Sequence, residues 1–138
     1  MSDKKPPRET GGDTEKITIN LGYVDLGRID LMVQEGFYSN RTDFIRTAIR
    51  NQLTNHGAEV SKSIDRRMYD MGLRSVTAED LEAARTAGQT LRLRVLGLAR
   101  IAADVSPELA RATIASVEVL GAFQASPEVK SALSDRIT

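Results

Sequence analysis

The sequence predicts an α+β chain in two parts, an N-terminal strand-helix-helix unit and a small C-terminal module of strand-helix repeats, solenoid-like in plan. Three observations predict it. Residues 16–21 alternate polar and apolar side chains, two stretches between Val24 and Leu53 carry apolar residues at helical spacing, and short strings of sequence recur after residue 68.

Residues 1–15 combine Pro6-Pro7, Gly11-Gly12 and mixed charge with almost nothing to bury, which predicts a disordered tail. In Lys16-Ile17-Thr18-Ile19-Asn20-Leu21 the three apolar residues share one face and the three polar residues the other, the pattern of a strand. No second strand follows within forty residues, and one strand cannot satisfy its own backbone N–H and C=O groups. Its natural partner is the same strand of another chain.

From Val24 to Gln34, Leu26, Ile29, Met32 and Val33 recur at helical spacing, with Gly36 as a stop. Phe37 and Tyr38 begin a connection, Ser39-Asn40 offers cap oxygens, and Asp43 follows Asn40 by three as in a capping box. The second helix places Phe44, Ile45, Ala48, Ile49 and Leu53 on one face, and Asn55-His56-Gly57 closes it. The unit therefore covers residues 16–57, followed by a hinge over 58–67 that carries Lys62, Arg66 and Arg67.

In residues 68–138, Val95-Leu96-Gly97 recurs as Val119-Leu120-Gly121, and Ser106-Pro107-Glu108 as Ser126-Pro127-Glu128. Met71-Gly72 with Thr77-Ala78-Glu79 forms a weaker copy upstream. Glycines 72, 97 and 121 lie 25 (97 − 72) and 24 (121 − 97) residues apart, a period at which strand-plus-helix units stack. Leu91, Leu93 and Val95 alternate with Arg92 and Arg94, and Val117 and Val119 flank Glu118, which predicts strands. Thr77, Ser106 and Ser126 read as helix N-caps, with Pro107 and Pro127 at the first helical position. A parallel stack would put Arg94 beside Glu118. The competing arrangement is a helical bundle in which Leu91 to Arg100 continues the helix begun at Glu79; Gly88 and the alternation count against it. An open strand edge on such a stack would pair with another copy or a protein partner.

Composition limits the chemistry. Nineteen Lys+Arg balance nineteen Asp+Glu, so no global field gathers a polyanion and any such contact must be local. With no Cys and one His, a thiol nucleophile is absent, and a His-based triad or transition-metal cage has few ways to form. No glycine-rich phosphate loop and no nucleophile beside a base is present, so the expectation is a non-enzyme with no cofactor, no metal and no catalytic residue. No apolar run approaches the roughly 20 residues that span a bilayer, which predicts a non-secreted chain without a membrane partner. Aromatic residues are 4% of the chain, too few for a platform that stacks bases.

The strand followed by two amphipathic helices resembles the ribbon-helix-helix (CopG/Arc-like) family of bacterial and phage transcription regulators. KITINL looks like the family ribbon and YSNRTDFIRTAIRNQL like its second helix, so the resemblance covers residues 16–55 and is silent beyond them. It implies a homodimer whose two strands pair antiparallel and enter the major groove of double-stranded DNA. Lys16, Thr18 and Asn20 would read bases, and Ser39, Asn40, Arg41 and Thr42 would hold a phosphate at the start of the second helix. Ile17, Ile19, Leu21, Leu26, Ile29, Val33, Ile45 and Ile49 would form the dimer core. Arg46 and Arg50 read as a solvated stripe, and His56 as a helix-end residue; the chain lacks the His and Cys ligands of nickel-sensing members. The implied function is a sequence-specific repressor in the bacterial cytoplasm, nucleoid-associated when bound, with the C-terminal module promoting assembly or binding a partner protein. Two rivals are an antitoxin of a toxin pair and a structural protein that uses the ribbon only to dimerise.

Overall fold

The computed structural model describes residues 14–138. The expected tail lies outside them except for Thr14 and Glu15, which are exposed. The chain forms two compact units, Glu15–Ser63 and Ile64–Thr138.

The first unit holds α1 (Tyr23–Gln34), α2 (Arg41–Asn55) and the start of α3 (Gly57–Arg67). The two expected helices are present, and Gly36, at φ +90°, ends the turn after α1 as its lack of a Cβ permits. Residues 58–67, expected as a hinge, lie in α3. Glu59 in its first turn and Arg66 and Arg67 in its last suit the helix dipole, and Val60 and Ile64 stand one turn apart. Met68 takes a left-handed φ of 58° and stops the helix, with the Tyr69 N–H donating back to the Ile64 carbonyl at 3.2 Å.

The second unit is a three-stranded parallel sheet, order β1-β2-β3, built from β1 (Asp70–Val76), β2 (Leu91–Ile101) and β3 (Ile114–Gln124). Helices α4 (Ala78–Thr86), α5 (Pro107–Thr113) and α6 (Pro127–Ala132) each follow one strand. The stretch from Leu91 to Arg100 is therefore strand, and the helical-bundle alternative does not hold. Thr77, Ser106 and Ser126 cap the three helices by accepting backbone N–H bonds from Asp80, Leu109 and Val129. One face of the sheet carries the core, in which Leu81, Leu93, Ile114, Val117 and Leu133 are fully buried. Thr113 is buried too, its hydroxyl donating to the Leu109 carbonyl at 2.6 Å.

Register follows the repeats: Gly72 pairs with Gly97 and Gly97 with Gly121, while Arg94 lies beside Glu118 as the spacing predicts. The three glycines have φ of +110°, +140° and +121°. A Cβ on Gly97 would sit well under 3.0 Å from the Gly72 carbonyl oxygen, and one on Gly121 as close to that of Gly97. Adjacent strands thus meet too closely for a side chain at Gly97 or Gly121. On the sheet face away from the core, the Tyr69 hydroxyl and Arg67 both bond Glu118, and Arg94 stands 3.9 Å from it. Tyr69 and Arg67 were not legible as partners of Glu118, since about fifty residues separate them.

Beyond α6 the chain returns to β3. Val117 forms a parallel bridge with Ile137, and Arg136 donates to the carbonyls of Arg111 and Ile114, satisfying acceptors left open at the end of α5.

Candidate nucleic-acid interface

Residues 16–21 form neither helix nor paired strand in the single chain, because a ladder needs a neighbour and none is present among the described residues. Lys16, Thr18 and Asn20 are exposed, and so are Ile17 (70%), Ile19 (56%) and Leu21 (37%). Three apolar side chains at every second position, facing water, mark a surface that association would cover.

The remainder of the first unit carries the same shortage of core. Ile29 is its only buried residue among those described; Leu26, Val33 and Ile45 are half-buried, and Ile49 and Leu53 are exposed. Of the eight expected dimer-core residues, four therefore face solvent in one chain. Tyr38 and Phe44 pack edge to face at 4.9 Å beside the turn that joins the helices.

Asn40 caps α2 as the sequence predicts, its Oδ1 accepting the Asp43 N–H at 2.8 Å. The reciprocal bond lands one residue earlier than in a capping box: the Asp43 carboxylate accepts the Ser39 N–H at 2.9 Å. Phe44 N–H donates to the Asn40 carbonyl, so among the described residues the open donors at this helix start are the N–H groups of Arg41 and Thr42. The Arg41 side chain is otherwise engaged. Its Nε and Nη2 donate to the two carboxylate oxygens of Asp30 at 2.8 and 2.9 Å, a bidentate clasp between α1 and α2. The Arg41 hydrogen bond holds the Asp30 carboxyl below its ordinary range, and Asp30 in turn raises the guanidinium. No local pattern marks Asp30 as the partner of Arg41, since eleven residues and a turn separate the pair and no helical spacing links them. Arg46 and Arg50 are exposed along α2, one turn apart.

Among the described residues no group of three or more His, Cys, Asp or Glu could hold a metal ion, and no helix is long and apolar enough to cross a membrane.

A sequence profile of the ribbon-helix-helix transcriptional regulator family matches residues 12–130. The match runs far past residue 55, where the likeness of the ribbon and second helix ends, and takes in all three strands of the C-terminal sheet. Neither a curated protein nor a solved structure matches the chain.

Proposed function

Because the chain belongs to the ribbon-helix-helix transcriptional regulator family, we propose that it is a sequence-specific DNA-binding repressor acting as a homodimer. The observation that carries this reading is the alternation of exposed Ile17, Ile19 and Leu21 with exposed Lys16, Thr18 and Asn20 in a segment that forms neither helix nor paired strand among the described residues. Pairing that segment with its copy across a two-fold axis buries the apolar face and leaves six polar side chains on a two-stranded ribbon, a width that suits the major groove. Lys16 matches the acceptors of guanine, Asn20 the donor and acceptor of adenine, and Thr18 either kind. The open N–H groups of Arg41 and Thr42, aided by the helix dipole, hold a backbone phosphate, with Ser39 and Asn40 shaping the turn before them. The C-terminal sheet, a short solenoid-like stack, joins dimers to one another.

The test is a titration on an operator selected from random duplexes. Thr18→Ala and Asn20→Ala should each lose about 1–3 kcal/mol of discrimination between operator and random DNA and leave the dimer intact. Equal weakening on both duplexes would show that these side chains do not read bases.

A further inference from the structure

The C-terminal sheet has two strand edges, and their backbone groups can be oriented from the bonds at their ends. On β3, the Val117 N–H donates to Arg136 and its carbonyl accepts from Thr138, both at 2.9 Å, so Val117 turns its polar groups away from β2. Alternation along a strand aims Val119, Gly121 and Phe123 the same way. Among the described residues β3 pairs beyond that bridge only with β2, so these groups lack a strand partner. On β1, the Val76 carbonyl accepts from Ala102 at 2.8 Å and faces inward, so Met71, Leu73 and Ser75 turn their N–H and C=O groups outward.

The glycine rung says what fits there. At Gly97 and Gly121 the space a Cβ would need is filled by the carbonyl of the glycine one strand earlier; at Gly72, with φ +110°, nothing lies within 4 Å of that position. Gly72 shares the positive φ of its two counterparts, and no carbonyl among the described residues stands against it. Gly121, on the opposite edge, has a carbonyl aimed outward with no glycine over it among the described residues.

We propose that the β1 edge of one copy adds in parallel to the free β3 edge of a second copy, with Gly72 set over the Gly121 carbonyl. The internal register, Gly72 to Gly97 to Gly121, then continues by one rung, and Ser75 falls beside Gln124. In that register Gly121 donates to the Met71 carbonyl and accepts from Leu73, the groups that face outward on each edge. The lengths agree as well. Ile137 covers β3 at Val117, and β1, which begins at Asp70, covers it from Val119 onward. The row of exposed Met71, half-buried Leu96 and exposed Leu120 on the open sheet face is also extended by the incoming Met71. Because the two edges differ, the contact is head to tail and links dimers in a row rather than closing a pair. This inference rests on the assembly role proposed above for the sheet and not on base reading by the ribbon.

The experiment is disulfide trapping in the full chain, which has no native Cys. Ser75 and Gln124 lie on strands separated by β2, about 9.6 Å apart at 4.8 Å per strand, so Ser75→Cys and Gln124→Cys in one chain cannot bridge internally. Oxidation of that double variant without DNA should give multimers in which peptide mapping finds the 75–124 link. Links only of 75 to 75 or 124 to 124, or none, would overturn the proposal. The unaltered chain checks it independently: sedimentation should show mass beyond the dimer as concentration rises. Leu73→Pro, which removes an outward N–H at an edge where proline is tolerated, should abolish the increase, whereas Leu73→Ala should keep it. A strictly dimeric mass at every concentration, or equal loss in both Leu73 variants, would overturn it too. Operator binding on a single-site duplex stays unchanged in either case, so failure here is distinct from failure of the DNA reading.

Discussion

At the scale of single residues, the clasp between Arg41 and Asp30 changes what Arg41 contributes. A guanidinium held by two charge-assisted bonds is not a free counter-charge for phosphate. Arg41→Ala should therefore leave the slope of log affinity against log salt nearly unchanged, while Asp30→Asn, which loosens the clasp, should steepen it by about 0.9. Titrations at four salt concentrations measure both, and a slope that drops by about one unit in Arg41→Ala would show that the side chain leaves Asp30 for the DNA. The glycine rung gives a sharper case. Gly121→Ala forces a Cβ into the Gly97 carbonyl at a φ that side chains rarely adopt. Backbone strain and overpacking each cost about 1–3 kcal/mol, and urea unfolding should record their sum. Gly72→Ala meets only the strain, so in a dilute solution of the chain it should cost less.

At the scale of elements, the ribbon segment depends on its partner more than any other. Ile19 is exposed in one chain and would be covered in the pair, so Ile19→Asp should yield monomer by sedimentation, a buried charge being far costlier than a solvated one. An unchanged dimer mass would refute the ribbon as the interface. The same contrast explains which elements could be read beforehand. The strands from Leu91 and around Val117 were legible because alternation, proline and cap residues repeat locally, and the recurring Val-Leu-Gly fixed their register. The helix over Gly57–Arg67 was hidden by its charge, although Val60, Ile64 and the end charges carry a helix's local marks. The clasp of Asp30, and the reach of Tyr69 and Arg67 to Glu118, join residues whose proximity only the folded chain creates. Of the candidate interface, the cap at Asn40 was legible for the same local reason, whereas which amides stay open depended on where Asp43 turned.

At the scale of the whole molecule, the balance of nineteen cations and nineteen anions hides an uneven placement of acid-sensitive contacts. Among the described residues four carboxyls are held below their ordinary range: Asp30 by the Arg41 hydrogen bond, Asp80 by the Thr77 backbone N–H, Glu118 by the Tyr69 hydroxyl and Asp135 by Arg111. A carboxyl whose folded-state pKa is depressed contributes stability above its unfolded value, and that contribution is lost as pH falls through the folded value. Three of the four lie in Ile64–Thr138, so the sheet should lose stability below about pH 4, where ordinary carboxyls begin to protonate. Thermal melting followed by circular dichroism between pH 7 and pH 3 should show a falling midpoint, and Glu118→Gln should flatten the fall. A chain that loses its anions also gains net positive charge, and repulsion alone would lower the midpoint in acid. Salt separates the two causes, because repulsion between exposed charges is screened over roughly 8 Å at 0.15 M, whereas a direct hydrogen bond is much less affected. If added salt restores the whole of the acid loss, repulsion accounts for it and the four contacts do not; if part of the loss persists in salt and shrinks in Glu118→Gln, the Tyr69 contact is what acid breaks.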